Sequence, residues 1–258
     1  MSIEATLICV DNSEYSRNGD FVPNRITCQR EAISLIASAK LATQYENSVG
    51  IIALAGERAS LLHALSNDLN NFLVSLDSIK PGGNSDFYRG IQMAQFALKH
   101  RQNKNLKQRI ICFVASPITT PTKHLVNLGK MLKKNNVSID IINICSSGEN
   151  DQRVEALFNA VNSQGQSHLL VCKPGQANDL NDALINSQIL NTGEFGLGTS
   201  SLNDFGIDPE ADLNLQMALR ISREEEEERQ KNEALKQIMA NEVPEKSDTN
   251  EDNPKRED

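Results

Sequence analysis

The residues best suited to chemistry stand in a loop directly after the first apolar run of the chain. That run, residues 5–10, ends at Asp11, and Ser13 follows two positions later. A carboxylate and a hydroxyl are hard oxygen ligands, which Mg²⁺ and Ca²⁺ prefer. Ser85 and Ser116, in loops further along the chain, could add hydroxyls to the same site. The first chemistry to consider is therefore binding of a divalent cation.

This Asp-x-Ser motif resembles the metal site of von Willebrand factor A-type domains. In that family another Ser and a later Asp complete the ligands, whereas Tyr15 and Ser116 stand at those positions here. One carboxylate with scattered hydroxyls is a poor cage for Mg²⁺. In the alternative interpretation, Asp11 and Ser13 hydrogen-bond to nearby backbone groups and orient the first helix. The sequence favours this alternative, and we expect no metal and no other cofactor.

Sequence motifs typical of enzymes are missing from the chain. It has no GxxxxGK[ST] loop for nucleotide phosphates, no GxGxxG after a strand and no GxSxG nucleophile turn. The five cysteines are scattered and form no CxxC pair. This pattern is typical of reduced, buried thiols in a cytoplasmic or nuclear protein. We therefore expect no catalytic residues, and we expect the cysteines to be inert.

Alternating strand and helix patterns must position these loops. Nearly continuous apolar runs, as in strands covered on both faces, occupy residues 5–10, 49–54, 110–115, 137–144 and 168–172. Helical periodicity lies between or after them, at residues 25–43, 61–76, 87–100, 122–134, 151–162 and 176–186. This order predicts an α/β fold with a doubly wound, mainly parallel sheet of the Rossmann-like, von Willebrand factor A-like type. Loops at the carboxyl ends of such strands share one rim, so we expect residues 11–16 and 81–86 to lie there.

The negative charge of the chain is concentrated in its last fifth. Residues 1–203 hold 18 Lys and Arg against 17 Asp and Glu, whereas residues 204–258 hold 8 against 17. Binding to a phosphate backbone needs clustered cations, so we expect no nucleic-acid partner. Residues 1–190, called the body below, contain one basic run, residues 99–109. This run either complements the dipole at a helix C-terminus or forms a docking surface for an acidic partner. No apolar run is long enough to span a membrane, and no membrane partner is expected.

The C-terminal region is predicted to be a linker followed by an isolated amphipathic helix. Residues 191–207 are rich in Gly, Ser, Thr and Asn, which indicates a flexible linker after a domain of residues 1–190. An Asp-Pro-Glu sequence then provides an N-cap, a first helical residue and a helix-stabilising charge. The predicted helix covers residues 208–228, and residues 229–258 form an acidic, low-complexity tail.

The predicted helix carries a narrow apolar stripe with acidic flanks. Leu215, Ala218, Leu219 and Ser222 fall on one face at i, i+3, i+4 and i+7. The small Ala and Ser let another protein approach closely, so the stripe suits a shallow apolar groove with a basic rim. A surface helix folded back on the body and half of a coiled coil are the alternatives. No heptad repeat follows the stripe, which argues against a coiled coil.

The spacing of an acidic residue, Leu215, Ala218, Ser222 and Glu225 resembles the ubiquitin-interacting motif. Together with the A-type domain before it, this motif makes residues 2–228 similar to multiubiquitin-receptor subunits of the 26S proteasome regulatory particle. The resemblance implies proteasome docking through the loop of Asp11 and Ser13. It also implies a ubiquitin-binding set, which comprises Leu215, Met217, Ala218, Leu219, Ile221, Ser222, Glu224 and Glu225.

The function implied by the resemblance is that of a non-enzymatic adaptor. The domain of residues 1–190 would dock on lid and base subunits of the proteasome, and the helix would bind ubiquitin and polyubiquitin chains, in the cytoplasm and nucleus. Ubiquitin-like domains of shuttle proteins are further candidate partners. One alternative is a cation-dependent von Willebrand A-type scaffold or adhesion module, not tied to the proteasome, that loses binding in EDTA. Another is a hydrolase of ubiquitin conjugates, for which the sequence offers no nucleophile and base in recognisable context.

Overall fold

Strands and helices alternate along the part of the chain that the computed structural model describes, residues 3–145, 148–162, 165–173 and 180–190. The strands are β1 (Glu4–Val10), β2 (Ser48–Ala53), β3 (Ser60–Ser66), β4 (Lys107–Val114), β5 (Val137–Asn143) and β6 (His168–Val171). The α-helices are α1 (Arg25–Thr43), α2 (Leu69–Asp77), α3 (Phe87–Lys99), α4 (Thr122–Lys134), α5 (Gly148–Val161) and α6 (Leu180–Ile185). The predicted linker, C-terminal helix and tail lie outside the described residues.

The strands form one sheet in the order β3-β2-β1-β4-β5-β6. All neighbouring pairs are parallel except β2 and β3, which are antiparallel. The predicted doubly wound, mainly parallel sheet is therefore confirmed. The strand order reverses between β1 and β4, and in such sheets the crevice for a ligand opens at this point, beyond the carboxyl ends of the strands.

The predicted helix over residues 61–76 is wrong in its first half. Residues 60–66 form β3, an edge strand that pairs only with β2 and whose side chains are half-buried or exposed. A new helix, α2, then begins because the carboxylate of Asp68 accepts hydrogen bonds from the backbone N–H groups of Asn70 (3.0 Å) and Asn71 (3.2 Å). The leucines of β3 and α2 are spaced as they would be in one continuous helix, which accounts for the wrong prediction. An edge strand lacks the continuous apolar run by which the central strands were predicted.

The apolar core lies on both faces of the sheet. One cluster packs α1, α2 and α6 against it, with Ile33 and Phe72 fully buried. The other packs α3, α4 and α5 against the opposite face, with Ile91 and Leu128 fully buried. Each such side chain contributes about 1.5–3 kcal/mol through removal from water. No helix of the described ranges is long and apolar enough to cross a membrane.

The amino ends of the strands hold a network of buried ion pairs. Arg109 in β4 contacts Glu4 in β1 (Nε to Oε2, 3.3 Å) and Asp140 in β5 (Nη1 to Oδ2, 2.7 Å). Lys40 in α1 lies 3.1 Å from the same Glu4 carboxylate, and His168 Nδ1 lies 2.9 Å from Asp140. Burial alone would raise the pKa of Glu4, but attraction to Arg109 and Lys40 holds it below its usual value. The network links four parallel strands and a helix at the end of the sheet opposite the crevice.

Candidate functional site

Asp11 lies at the carboxyl end of β1, beside the point where the strand order reverses. Its side chain is buried, and Oδ2 accepts hydrogen bonds from Ala115 N (3.0 Å) and Ser116 Oγ (2.6 Å). Oδ1 accepts a third hydrogen bond from Ser13 N (3.1 Å). The carboxylate thereby joins the loop after β1 to the loop after β4 and makes the local backbone contact that the capping interpretation expects.

The backbone of Asp11 is also fixed to α1. Its N–H donates to Gln29 Oε1 and its carbonyl accepts from Gln29 Nε2, both at 3.1 Å, and Ser16 Oγ donates to the same carbonyl. Gln29 is fully buried, and sequence reasoning missed it. Its position was a usable signal, because Gln29 stands three residues after Ile26 and four before Ile33, on the apolar face of α1.

Asn12 joins the first loop to two further loops and was also missed from the sequence. Its side-chain Oδ1 accepts from Ala55 N (2.9 Å), and Nδ2 donates to the carbonyls of Ala55 (3.4 Å) and Lys80 (3.2 Å). Its backbone carbonyl accepts from Gly82 N (2.8 Å). Through Asn12 the loops after β1, β2 and α2 form one continuous rim, so residues 11–16 and 81–86 do share the rim as predicted.

Two glycines allow the second and third of these loops to touch. Gly83 has a φ of +76°, and Gly56 has a φ of +122°. A Cβ placed on Gly83 would lie 3.0–3.1 Å from the backbone atoms of Gly56. Both the left-handed backbone and the close approach therefore require glycine at position 83.

Gly83→Ala is expected to lower the free energy of unfolding by about 1–3 kcal/mol, because strain at a positive φ is added to a backbone contact. Urea denaturation of the full chain measures this change. Gly82→Ala is the matched control, since its Cβ would meet nothing nearer than Glu14 Oε1 at 3.6 Å. Equal effects of the two substitutions would contradict the close-packed rim.

The rim surrounds a polar cleft of about 470 Å³ that is lined by Asp11, Ser85, Asp86 and Ser116, among others. A-type domains hold a divalent cation at this place, but these residues do not fit one. Both oxygens of Asp11 already accept protein hydrogen bonds, and two of the three donors are backbone N–H groups, which cannot ligate a metal. Ser13 Oγ is buried without a partner among the described residues. Ser116 Oγ, however, donates to Asp11, and Asp86 caps α3 and pairs with Arg89, so few oxygen ligands remain for a Mg²⁺ shell.

No group of three or more His, Cys, Asp or Glu suited to a metal occurs within the described ranges. All five cysteines are buried free thiols. Burial raises the pKa of Cys112 and Cys145, and it raises the pKa of Cys172 to about 11. A thiol held in its neutral form is a poor nucleophile and a poor metal ligand. That all five cysteines are inert stays a prediction.

The structure describes only one of the two groups of site residues expected from the sequence. Asp11 and Ser13 are both buried within the loop, so an effect of either on docking would act through the shape of the rim. Their docking role stays a prediction. The eight residues expected to bind ubiquitin, between positions 215 and 225, lie outside the described residues, and their role also stays a prediction.

Comparison with known proteins places the body among A-type domains. Residues 6–116 match the von Willebrand factor type A domain. The crystal structure of the SpRpn10 VWA domain superposes with a TM-score of 0.68 at 38% identity, covering 72% of this chain and 96% of that one. A conserved hypothetical protein, BatB from Bacteroides thetaiotaomicron, superposes with a TM-score of 0.58 at 14% identity and shares the fold alone.

Three curated relatives extend the similarity beyond the body. The chain is 43% identical over 251 residues to the 26S proteasome non-ATPase regulatory subunit 4 homolog of Arabidopsis thaliana, covering 92% of this chain and 64% of that protein. It is 38% identical to the 26S proteasome regulatory subunit rpn10 of Schizosaccharomyces pombe, covering 95% of that protein. It is 38% identical to the corresponding subunit RPN10 of Saccharomyces cerevisiae, covering 90% of that protein. The chain thus spans nearly all of the two yeast relatives but under two thirds of the plant one.

Proposed function

Because this chain belongs to the family of 26S proteasome regulatory subunits that comprises subunit 4 and Rpn10, we propose that it is a non-enzymatic ubiquitin receptor of the proteasome regulatory particle. In this proposal residues 1–190 dock on lid and base subunits, and the helix of residues 208–228 binds ubiquitin on substrates destined for degradation. The protein then acts in the cytoplasm and nucleus, where such substrates arise. Ubiquitin-like domains of shuttle proteins are a second class of ligand for the same helix.

The observation that carries the proposal is the acidic helix pattern within a chain of this family. The stripe of Leu215, Ala218, Leu219 and Ser222 offers a narrow apolar face, and the acidic run of residues 224–228 suits the basic rim of a partner groove. Within the described residues the sheet is covered on both faces, by α1, α2 and α6 on one side and by α3, α4 and α5 on the other. Substitutions in the helix should therefore leave the body folded.

A single helix face gives weak capture of one ubiquitin. It buries well under the roughly 1,600 Å² of a standard interface, so we expect a Kd between about 1 mM and 1 μM. Weak capture permits release of the substrate. Rebinding along a polyubiquitin chain raises the apparent affinity by effective concentration, without new contacts. With the flexibility that its composition predicts, the linker of residues 191–207 would give the helix a reach of about 20–25 Å.

Replacing Leu215, Ala218 and Leu219 together by Asn is expected to abolish polyubiquitin pull-down by the full chain. The change removes the apolar anchors of the stripe, and loss of such anchors weakens binding by at least about thirtyfold. Titration of isotopically labelled ubiquitin with the full chain, followed by two-dimensional NMR, measures the same loss amide by amide.

The matched control replaces Leu235, Ile238 and Met239 by Asn. These residues form a second helical apolar pattern in the tail that lacks a Ser in the register of the motif. The control should retain binding, and retention by the first triple variant would refute the helix assignment. Loss of binding in EDTA would instead favour the cation-dependent scaffold, and turnover of a ubiquitin conjugate by the purified chain would favour a hydrolase.

A further inference from the structure

The segment that contains α3, β4 and α4 carries positively charged side chains and no negatively charged ones. Residues 87–139 contain ten Lys and Arg and no Asp or Glu. Two of the ten are neutralised from outside the segment, Arg89 by Asp86 and Arg109 by Glu4 and Asp140. Capping accounts for two more, since Arg101 donates to the carbonyls of Leu98, Lys104 and Leu106, and Lys104 donates to the carbonyl of Lys99.

Capping does not explain the remaining cations. Six remain and all are exposed; Lys123 lies in the first turn of α4, and the other five are Lys99, Lys107, Lys130, Lys133 and Lys134. No carboxylate of the described residues lies within 4.0 Å of the ammonium groups of these five. They therefore form a positive field around the C-terminal ends of α3 and α4. Such a field attracts a negatively charged partner and raises its rate of association.

A groove of about 400 Å³ lies within this field, and polar and charged side chains surround its two apolar ones. Phe96 of α3 and Met131 of α4 line it, with 65% and 47% of their surfaces exposed. The Phe96 ring packs against the ring of His100, with 4.6 Å between centroids, and Gln108 at the start of β4 holds the adjoining end of α4 by donating to Asn135 O (3.2 Å). The groove thus combines two large exposed apolar side chains with a cationic surround.

The shape of this site favours a helix as its occupant. Strand addition needs a free sheet edge, whereas β4 is paired on both sides, with β1 and β5. A groove between two helices accepts a third helix, whose side chains fill the space between theirs at an interaxial distance of about 8–10 Å. The exposed Phe96 and Met131 would pack against apolar side chains of that helix. This favours a protein over a nucleic acid as the occupant of the groove.

We propose that the groove between α3 and α4, with Phe96 and Met131 at its centre and lysines around it, binds an acidic amphipathic helix of another proteasome subunit. This inference rests on the proposed function and specifies one surface by which the body docks. Acidic side chains of the partner helix would meet Lys99 and the lysines of α4, while its apolar face would cover Phe96 and Met131. Burial of the two apolar side chains would supply the affinity, and the charges would supply the orientation.

Photo-crosslinking within purified regulatory particles tests the proposal. Benzoylphenylalanine replaces Phe96 in the full chain, and in a control chain it replaces Val74, which is 70% exposed on α2 at the opposite face of the sheet. We expect position 96 to crosslink to one subunit segment that has acidic residues and a helical apolar period. A crosslink to a segment without those features, or a crosslink from position 74 alone, would overturn the proposal.

Binding of the full chain to particles that lack this subunit gives the second measurement. The double substitution Phe96→Glu and Met131→Glu should weaken binding by about tenfold or more, whereas Val74→Glu should not. Polyubiquitin pull-down by the same variants should be unchanged. If the unchanged chain binds particles and the double variant binds equally well, the groove assignment fails while the proposed receptor function stands. If the unchanged chain does not bind particles at all, the docking part of the proposed function fails and the groove assignment fails with it.

Discussion

Arg109→Met is expected to lower the free energy of unfolding by about 3–5 kcal/mol, the usual cost of removing one partner from a buried ionic network. Arg109 is 7% exposed and is the only group that contacts both Glu4 and Asp140 among the described residues. Asp140 is fully buried, and after the substitution only the backbone N–H and the ring of His168 remain as its hydrogen-bond partners in the described structure. Chemical denaturation of the full chain, followed by circular dichroism, measures the change.

Arg89→Met is the matched control for this prediction. Arg89 also forms an ion pair, with Asp86 at 3.4 Å, but 73% of its side chain is exposed. Exposed pairs contribute about 0–1 kcal/mol, so the control should barely alter stability. Similar effects of the two substitutions would show that the buried network stabilises the fold no more than an exposed ion pair does, and would contradict the prediction.

The same network gives the direction of the pH dependence. The pKa of Glu4 in the folded chain lies below its usual value of 4.5. Its contribution to stability is therefore complete above that value and is lost as the pH falls through the folded pKa. Because Arg109 is a main cause of the lowered pKa, this acid loss should shrink in Arg109→Met.

The central part of the fold could be predicted from the sequence because its strands are covered on both faces. Such strands are continuous apolar runs, and the helices between them bury one stripe each, so both periods are visible in the chain. Predicted bounds match closely where an explicit cap exists, as at α1, where Asn24 Oδ1 accepts from Thr27 N (2.9 Å). Edge strand β3 could not be recognised in this way because its side chains alternate poorly between core and water.

The rim could be located from the sequence, but its internal contacts could not be predicted. Asp11 stood out because a carboxylate follows a buried strand directly. The position of Gln29 on the apolar face of α1 indicates burial, but neither Gln29 nor Asn12 identifies its partner, since the partners are backbone groups of Asp11 and of Ala55 and Lys80. The partners lie 43 and 68 residues from Asn12 and 18 residues from Gln29, so these contacts depend on the assembled fold and leave no pattern in the local sequence.

Asp11→Ala is expected to be the second most damaging substitution, lowering the free energy of unfolding by about 3 kcal/mol or more. It leaves three hydrogen-bond donors at the buried rim without their acceptor, Ser13 N, Ala115 N and Ser116 Oγ, and each unsatisfied donor costs about 1–3 kcal/mol. Because the loops after β1 and β4 would separate, association with the regulatory particle should also weaken. Polyubiquitin pull-down should persist, since the proposed ubiquitin-binding residues lie elsewhere in the chain.

Asp86→Ala is the matched control for Asp11→Ala, because it also removes a carboxylate from the rim. Asp86 lines the same cleft but is more exposed and caps α3 through Arg89 N (3.1 Å), so its loss should cost about 1 kcal/mol.

Thermal melting of the unchanged chain and of Asp11→Ala, in Mg²⁺ and in EDTA, then distinguishes the two interpretations of the Asp-x-Ser motif, cation binding and hydrogen bonding between loops. If Asp11 joins loops by hydrogen bonds, the difference between the two proteins is the same in both solutions. If Mg²⁺ raises the melting temperature of the unchanged chain alone, Asp11 ligates a cation and the hydrogen-bonded interpretation is wrong.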